Sequence, residues 1–215
     1  MKIITFDQPH RQKHFDFFNQ MDQPHFGLSA NVDITDLLRD IQQQQLPFTV
    51  VMVYLLSRAA NQVPTFRWRI RGTQVVEHEW VHPSFTVKTA VSDVFSFCMV
   101  PFNENFDPFL AAAQTAMDKM YHAPSFEDEP GRDDFLYLSA MPWVSFTSVM
   151  HPMHYHPVDS VPRLVWGKYF EEGGRIKMPL AVQAHHAVVD GVHLGHFFQK
   201  VEALLEPEAW RRRLA

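Results

Sequence analysis

The residues best equipped for chemistry lie near the C-terminal end, in the run Gln183-Ala184-His185-His186-Ala187-Val188-Val189-Asp190-Gly191. A neutral imidazole is a usable proton acceptor at physiological pH, because histidine titrates near pH ~6.5. A carboxylate four residues after the second histidine can fix local geometry through an ion pair, since a buried carboxylate needs a partner. Gly191 lets the chain turn where a side chain would clash. Successive residues of a strand point to opposite faces, so the two histidines cannot share one task. His185 reads as structural; His186 taken alone would read as a satisfied core histidine, and the run as a whole supports a histidine base beside a structural aspartate. By itself the pattern His-His-x-x-x-Asp-Gly names no substrate.

The elements that must hold this run can be read along the chain. The apolar run Ile176 to Val182 reads as a strand feeding it, and Val192 to Leu205 as a helix leaving it. Upstream, Pro9 to Gln20 suits a first helix and Phe26 to Ile34 a strand. Thr35 then caps a helix carrying Leu37, Leu38 and Ile41. Phe48 to Asn61 reads as an apolar core helix ended by Val63-Pro64. Strands are expected at Phe66 to Ile70, Val75 to Trp80, Phe85 to Thr89 and Val94 to Val100. Asp107 to His122 reads as a helix and Phe135 to Ser139 as a strand. Leu164 to Phe170 and Ile176 to Val182 read as a strand pair around Glu171-Glu172-Gly173-Gly174. Strands and helices mix without strict alternation, which predicts an α+β fold, an α/β sandwich with a mixed sheet flanked by helices.

The chain has 215 residues, enough for one domain with a substantial core, and residues 1–215 read as that domain. Nineteen phenylalanines point to aromatic packing or apolar pockets. A formal charge of −5 offers no basic face, so nucleic acid is not an expected partner. The single Cys98, in an apolar strand-like setting, excludes an intrachain disulfide and fits a reducing compartment. There is no leader-like apolar segment at the start and no run of the ~18 apolar residues that a membrane span needs. The expected location is cytoplasmic, without a membrane.

The chain resembles the chloramphenicol acetyltransferases, within the wider group of CoA-dependent acyltransferases. Arg11-Gln12-Lys13-His14-Phe15 is similar to that family's N-terminal Arg-x-x-His-Phe helix. Val32-Asp33-Ile34-Thr35 and Phe66-Arg67 follow in the family's order. Ser139-Ala140-Met141-Pro142-Trp143 resembles its Ser-Ala-x-Pro-Trp segment. Gly167-Lys168-Tyr169, Met178-Pro179-Leu180 and the run from His185 to Gly191 complete the likeness.

The resemblance implies acetyl transfer from acetyl-CoA, as co-substrate, to a hydroxyl of a small molecule, chloramphenicol first. His186 matches the catalytic base and Ser139 the hydroxyl that steadies the tetrahedral oxyanion; Asp190 and Arg11 match a structural ion pair. Phe18, Phe26, Tyr137, His151 and Val165 match acceptor contacts, and Trp143 and Tyr169 match residues beside CoA. It also implies a homotrimer with active sites between subunits, and no metal.

The sequence departs from the family at several points. Val165 stands where a threonine is usual, Val189 where a cysteine is frequent, and His151 where an apolar acceptor contact is expected. The base and the oxyanion donor are intact, so the departures bear on the acceptor, which could be another small-molecule alcohol. Two further readings stay open: a metal-dependent hydrolase using His151, His154 and His156, with Asp159 nearby, and a catalytically silent binding protein on the same frame.

Overall fold

The computed structural model describes residues 1–127, 131–154, 157, 159–206 and 209–211. In chain order the elements are β1 (Lys2–Ile4), α1 (Pro9–Asn19), β2 (His25–Asp33), α2 (Thr35–Gln43), α3 (Phe48–Asn61), β3 (Trp68–Arg71), β4 (Gln74–Glu77), β5 (His82–Val87), β6 (Ser96–Met99), α4 (Phe106–His122), β7 (Phe135–Met141), β8 (Arg163–Gly167), β9 (Phe170–Glu172), β10 (Arg175–His185) and α5 (Gly191–Leu205). The larger sheet runs β2-β10-β8-β7-β5-β6, with β9 also on β10, and a small sheet runs β1-β4-β3. β7 lies parallel to β5 and β8, while β10 is antiparallel to β2, β8 and β9. This is the mixed sheet with flanking helices that the sequence predicts.

α3 is apolar on every side because every side is covered: Val50 to Asn61 are all buried. It packs against α4, α5 and the sheet. The phenylalanines do much of the filling. Phe66 stacks on Phe197 at 4.9 Å, and Tyr54 meets the rings of Phe102, Phe106, Phe109 and Trp210.

The two faces of the larger sheet differ in character. One carries Leu138, Leu164, Val182, Leu180 and Trp166, paired across β7, β8 and β10, and joins the helical core. The other brings Tyr137, Arg163 and Gln183 into line, then Ser139, Val165 and Ala181 one step along. This polar face has to satisfy its own hydrogen-bonding groups, and its residues recur in the site below.

Several local expectations are corrected. Phe66 to Ile70 is not one strand: Pro64 opens a 3-10 turn, Pro64–Arg67, and β3 starts at Trp68. Arg69 on that strand is 1% exposed and donates to the carbonyls of Asp133, Phe66, Trp68 and Phe135. Thr35 is the first residue of α2 and not its cap, and its Oγ1 donates to Asp33 at 2.7 Å. Leu164 to Phe170 breaks at Lys168-Tyr169, so β9 and β10 form the hairpin, turning on Gly173 and Gly174 at φ 62° and 75°. Both values suit glycine. β1, which the sequence does not signal, pairs with β4.

Candidate active site

His186 follows the last residue of β10, where its backbone N–H reaches the Pro24 carbonyl at 2.8 Å. Its ring lies between two phenylalanines, stacked on Phe18 of α1 at 4.0 Å and on Phe26 of β2 at 4.3 Å. Its Nδ1 is 3.1 Å from the Val189 carbonyl. A carbonyl can only accept, so Nδ1 carries the hydrogen and the lone pair of the neutral ring sits on Nε2. Asp190 Oδ1 lies 4.0 Å from the same Nδ1. The ring is thus fixed in plane and in tautomer, with one free basic atom.

The turn beneath it is held from α1. Arg11, His14, Phe15 and Phe18 fall at helical spacing on one face. Phe15 anchors in the core, and Arg11 stacks over Phe6 and Trp68 at 5.1 and 5.8 Å. Arg11 Nη1 donates to Ala187 O at 3.1 Å and Nη2 to Val188 O at 2.8 Å. The expected pair of Arg11 with Asp190 is therefore corrected: the donors go to the two carbonyls of the turn. Asp190 acts on Arg11 through space, opposing the drop in pKa that burial causes. The Asp190 carboxylate instead caps α5. Its Oδ1 accepts from Gly191 N at 2.7 Å, while His193 Nδ1 accepts from the Asp190 backbone N–H at 2.8 Å. The Gly191 bond is the main reason its acid form is disfavoured, and its pKa lies below the usual carboxylate value.

His14 takes no role in the sequence beyond the Arg-x-x-His-Phe run, yet the structure places it against His186. Its ring meets that of His186 edge-on at 5.4 Å. Its Nδ1 is 2.6 Å from Arg11 Nη1. The signal was its position, one turn before Phe18 on the same helix face.

His185 points the other way. It is 1% exposed, meets His25 edge-on at 4.9 Å, and its Nδ1 accepts from Ala187 N. Burial pushes its pKa down to about 3. His25 in turn reaches the Asp159 carbonyl at 2.7 Å, and Asp159 pairs with Arg163 at 2.5 Å. The Arg163 guanidinium lies 5.1 Å from the centre of the Tyr137 ring, and Gln183 Oε1 accepts from His151 N at 2.9 Å. Tyr137 and His151 thus belong to the polar face. Val165 is buried and lies beside Ser139 on the next strand.

Ser139 lies on a different wall. With Ala140, Met141, Pro142 and Trp143 it lines a cavity of about 1080 Å³, closed by Thr86 to Thr89, Val94, Phe95, Met117 and Tyr121. Trp143 is 73% exposed and Tyr169 stands beside Phe48 at 6.1 Å. The turn carrying Trp143 sits close against β8: a Cβ added to Gly167 would meet Val144 O at 2.7 Å and Pro179 Cγ at 2.8 Å. Ser139 aligns with Val165 and Ala181 across the strands, and Ala181 is five residues before His186. At ~3.4 Å per residue and ~4.8 Å per strand, Ser139 and His186 of one chain are roughly 20 Å apart.

For a metal, the loop histidines form no ligand set among the described residues; His151 faces Gln183, and His156 lies outside them. His14, His186 and Asp190 do bring ligand atoms within 4.8 Å of one another. The Arg11 guanidinium on His14 puts a permanent positive charge there, which opposes a cation. Cys98 is buried and its thiol pKa is pushed up to about 12, so it is not a nucleophile. Among the described residues no helix is long and apolar enough to cross a membrane.

Known proteins resemble this chain in sequence and fold. The family described as chloramphenicol acetyltransferase matches residues 1–202. Chloramphenicol acetyltransferase 3 of Escherichia coli is 31% identical over 196 residues, covering 90% of this chain and 92% of that protein. The chloramphenicol acetyltransferase of Bacillus pumilus is 29% identical over 197 residues, covering 91% and 90%. A solved chloramphenicol acetyltransferase superposes with a TM-score of 0.84 at 27% identity, covering 95% of this chain and 99% of that one. Because the matched stretch takes in α1, the Ser139 strand and the histidine turn together, the chain belongs to the chloramphenicol acetyltransferase family.

Proposed function

We propose that this protein transfers an acetyl group from acetyl-CoA to a hydroxyl of chloramphenicol and so confers resistance to it. It works as one acetyltransferase domain in a cytoplasmic homotrimer, without a metal. The observation that carries the reading is the His186 ring: clamped by Phe18 and Phe26, tied at Nδ1 to the Val189 carbonyl, and free at Nε2. Nε2 takes the proton of the acceptor hydroxyl as its oxygen attacks the thioester carbonyl. The Ser139 hydroxyl donates to the oxyanion of the tetrahedral intermediate. Collapse breaks the carbon–sulfur bond, and the imidazolium returns the proton to the departing CoA thiolate. Trp143 and Tyr169 flank the pantetheine arm, and the cavity behind Ser139 leads the thioester in. Phe18 and Phe26 border the acceptor beside the base; Tyr137 and His151 contribute to its far side.

The roughly 20 Å between Ser139 and His186 supports a site shared between subunits, His186 from one and Ser139 from the next. Leu28 on the edge strand β2 is 45% exposed and Met150 is 82% exposed, which suits faces that another subunit covers. The test is to co-express His186→Ala and Ser139→Ala chains and follow CoA thiol release with acetyl-CoA and chloramphenicol. Neither variant alone should turn over, while each mixed trimer regains one working site. No activity in the mixed trimers would place both groups within one chain and defeat the shared site. The polar ring of Tyr137, Arg163, Gln183 and His151 favours a second reading with the same chemistry, in which the acceptor is a different, more polar alcohol. Faster thiol release with such an alcohol than with chloramphenicol would select it.

A further inference from the structure

We propose that His14 is a positioning residue for the base, held by Arg11 as the neutral ring with its hydrogen on Nε2 and set edge-on against His186. The inference deepens the acetyl-transfer reading and rests on it.

The geometry comes first. A guanidinium has donors and no acceptor, so the 2.6 Å contact from Arg11 Nη1 requires a lone pair on His14 Nδ1. A doubly protonated His14 would lose that bond and place two like charges together. Arg11 itself is immobilised: its other donors hold the Ala187 and Val188 carbonyls, and its face rests on Phe6 and Trp68. His14 also packs against Phe18 at 4.8 Å, the same ring that stacks on His186. It thus touches the base, one of the two rings that clamp it, and the arginine that carries the turn.

The electrostatics agree. Burial and then the Arg11 charge push the His14 pKa below the ordinary histidine value, with His186 adding to the drop and Asp190 and the Ala187 carbonyl opposing it, so the neutral form of His14 is favoured. When His186 takes its proton, the neighbouring ring then adds no second positive charge. Arg11 stays turned toward the carbonyls and not toward the imidazolium. His14 touches no reacting atom; it acts through His186.

The test uses the whole protein with ¹⁵N-labelled histidine and the variants His14→Phe and His14→Asn. Phenylalanine keeps a ring edge but offers Arg11 no acceptor; asparagine keeps an oxygen near the Nδ1 position. The expected results are a wild-type His14 signal of the Nε2–H tautomer that protonates at lower pH than an ordinary histidine, and a His14→Phe enzyme whose kcat falls about tenfold with both KM values within twofold. In that variant the His186 signal should shift toward a mixture of tautomers, and His14→Asn should recover most of the lost kcat. A His14 that titrates as an ordinary histidine, a His14→Phe enzyme with wild-type kcat, or a His14→Asn enzyme no better than His14→Phe would each overturn the proposal. The tautomer signal needs no turnover. If the wild-type protein transferred no acetyl group while His14 showed the Nε2–H tautomer, the acyl-transfer reading would fall and the Arg11–His14 geometry would stand.

Discussion

His185 and His186 are neighbours in the chain and opposites in the fold. The pleat of β10 sends His185 into the polar face, against His25 and behind the Asp159–Arg163 pair, where it is sealed and hard to protonate. It sends His186 to the other side, between Phe18 and Phe26, with one nitrogen tied and one free. Same residue type, same turn, different surroundings: what makes an imidazole a base is an open nitrogen with a fixed ring, and what makes it structural is a closed one.

The contrast can be broken most forcefully at the open ring. His186→Ala is expected to lower kcat about 10³-fold, within the range for loss of a general base, while the melting temperature stays near wild type. A loss under tenfold would mean that His186 is not the base. Ser139→Ala should cost about 10² in kcat, the scale for removing one oxyanion donor; an unchanged rate would move that donor elsewhere.

On the sealed side the expected effect is on stability, and its sign follows from the lowered pKa. Folded His185 titrates at about 3, whereas an unfolded histidine titrates near ~6.5. Between those values the unfolded chain binds a proton that the folded chain refuses, so stability falls as pH drops below about 6.5 and is insensitive to this group above it. The slope from one such proton approaches ~1.4 kcal/mol per pH unit. His185→Gln should flatten the acid arm in denaturant titrations at pH 4 to 7, and an equally steep arm would refute the assignment. The smallest effect is expected where the two sides join. Asp190→Ala removes the α5 cap and should lower stability by ~1 kcal/mol, with a several-fold fall in kcat as the turn loosens. Unchanged denaturant midpoints would show that the cap is dispensable.

Much of this contrast was legible in the sequence, because the rule that creates it is local. Strand periodicity separates His185 from His186 without any structure, and the helix Phe48–Asn61 is set by its own apolar run and the Pro64 that follows. What stayed hidden depends on contacts between distant segments. Arg11 reaches Ala187 and Val188 across 176 and 177 positions, so nothing near Arg11 announces that it binds carbonyls and not Asp190. For His14 the helix spacing is legible, but its meeting with His186 is again a contact between distant segments. The four carbonyls around Arg69 come partly from Asp133 and Phe135, 64 and 66 positions away, and nothing near Arg69 announces them. The break at Lys168-Tyr169 is set by the Val144 carbonyl, which takes the Lys168 N–H at 2.9 Å.

At Gly167, β8 and the turn that carries Trp143 leave no room for a side chain. With Val144 O at 2.7 Å from where a methyl would sit, even alanine would act as a wedge, prising the Trp143 turn away from β8 without altering any group that lines the cavity. The cavity wall that Pro142 and Trp143 form is therefore adjustable from its outer side. A bulkier residue at that single point would move that wall while leaving His186 and the two rings beside it in place.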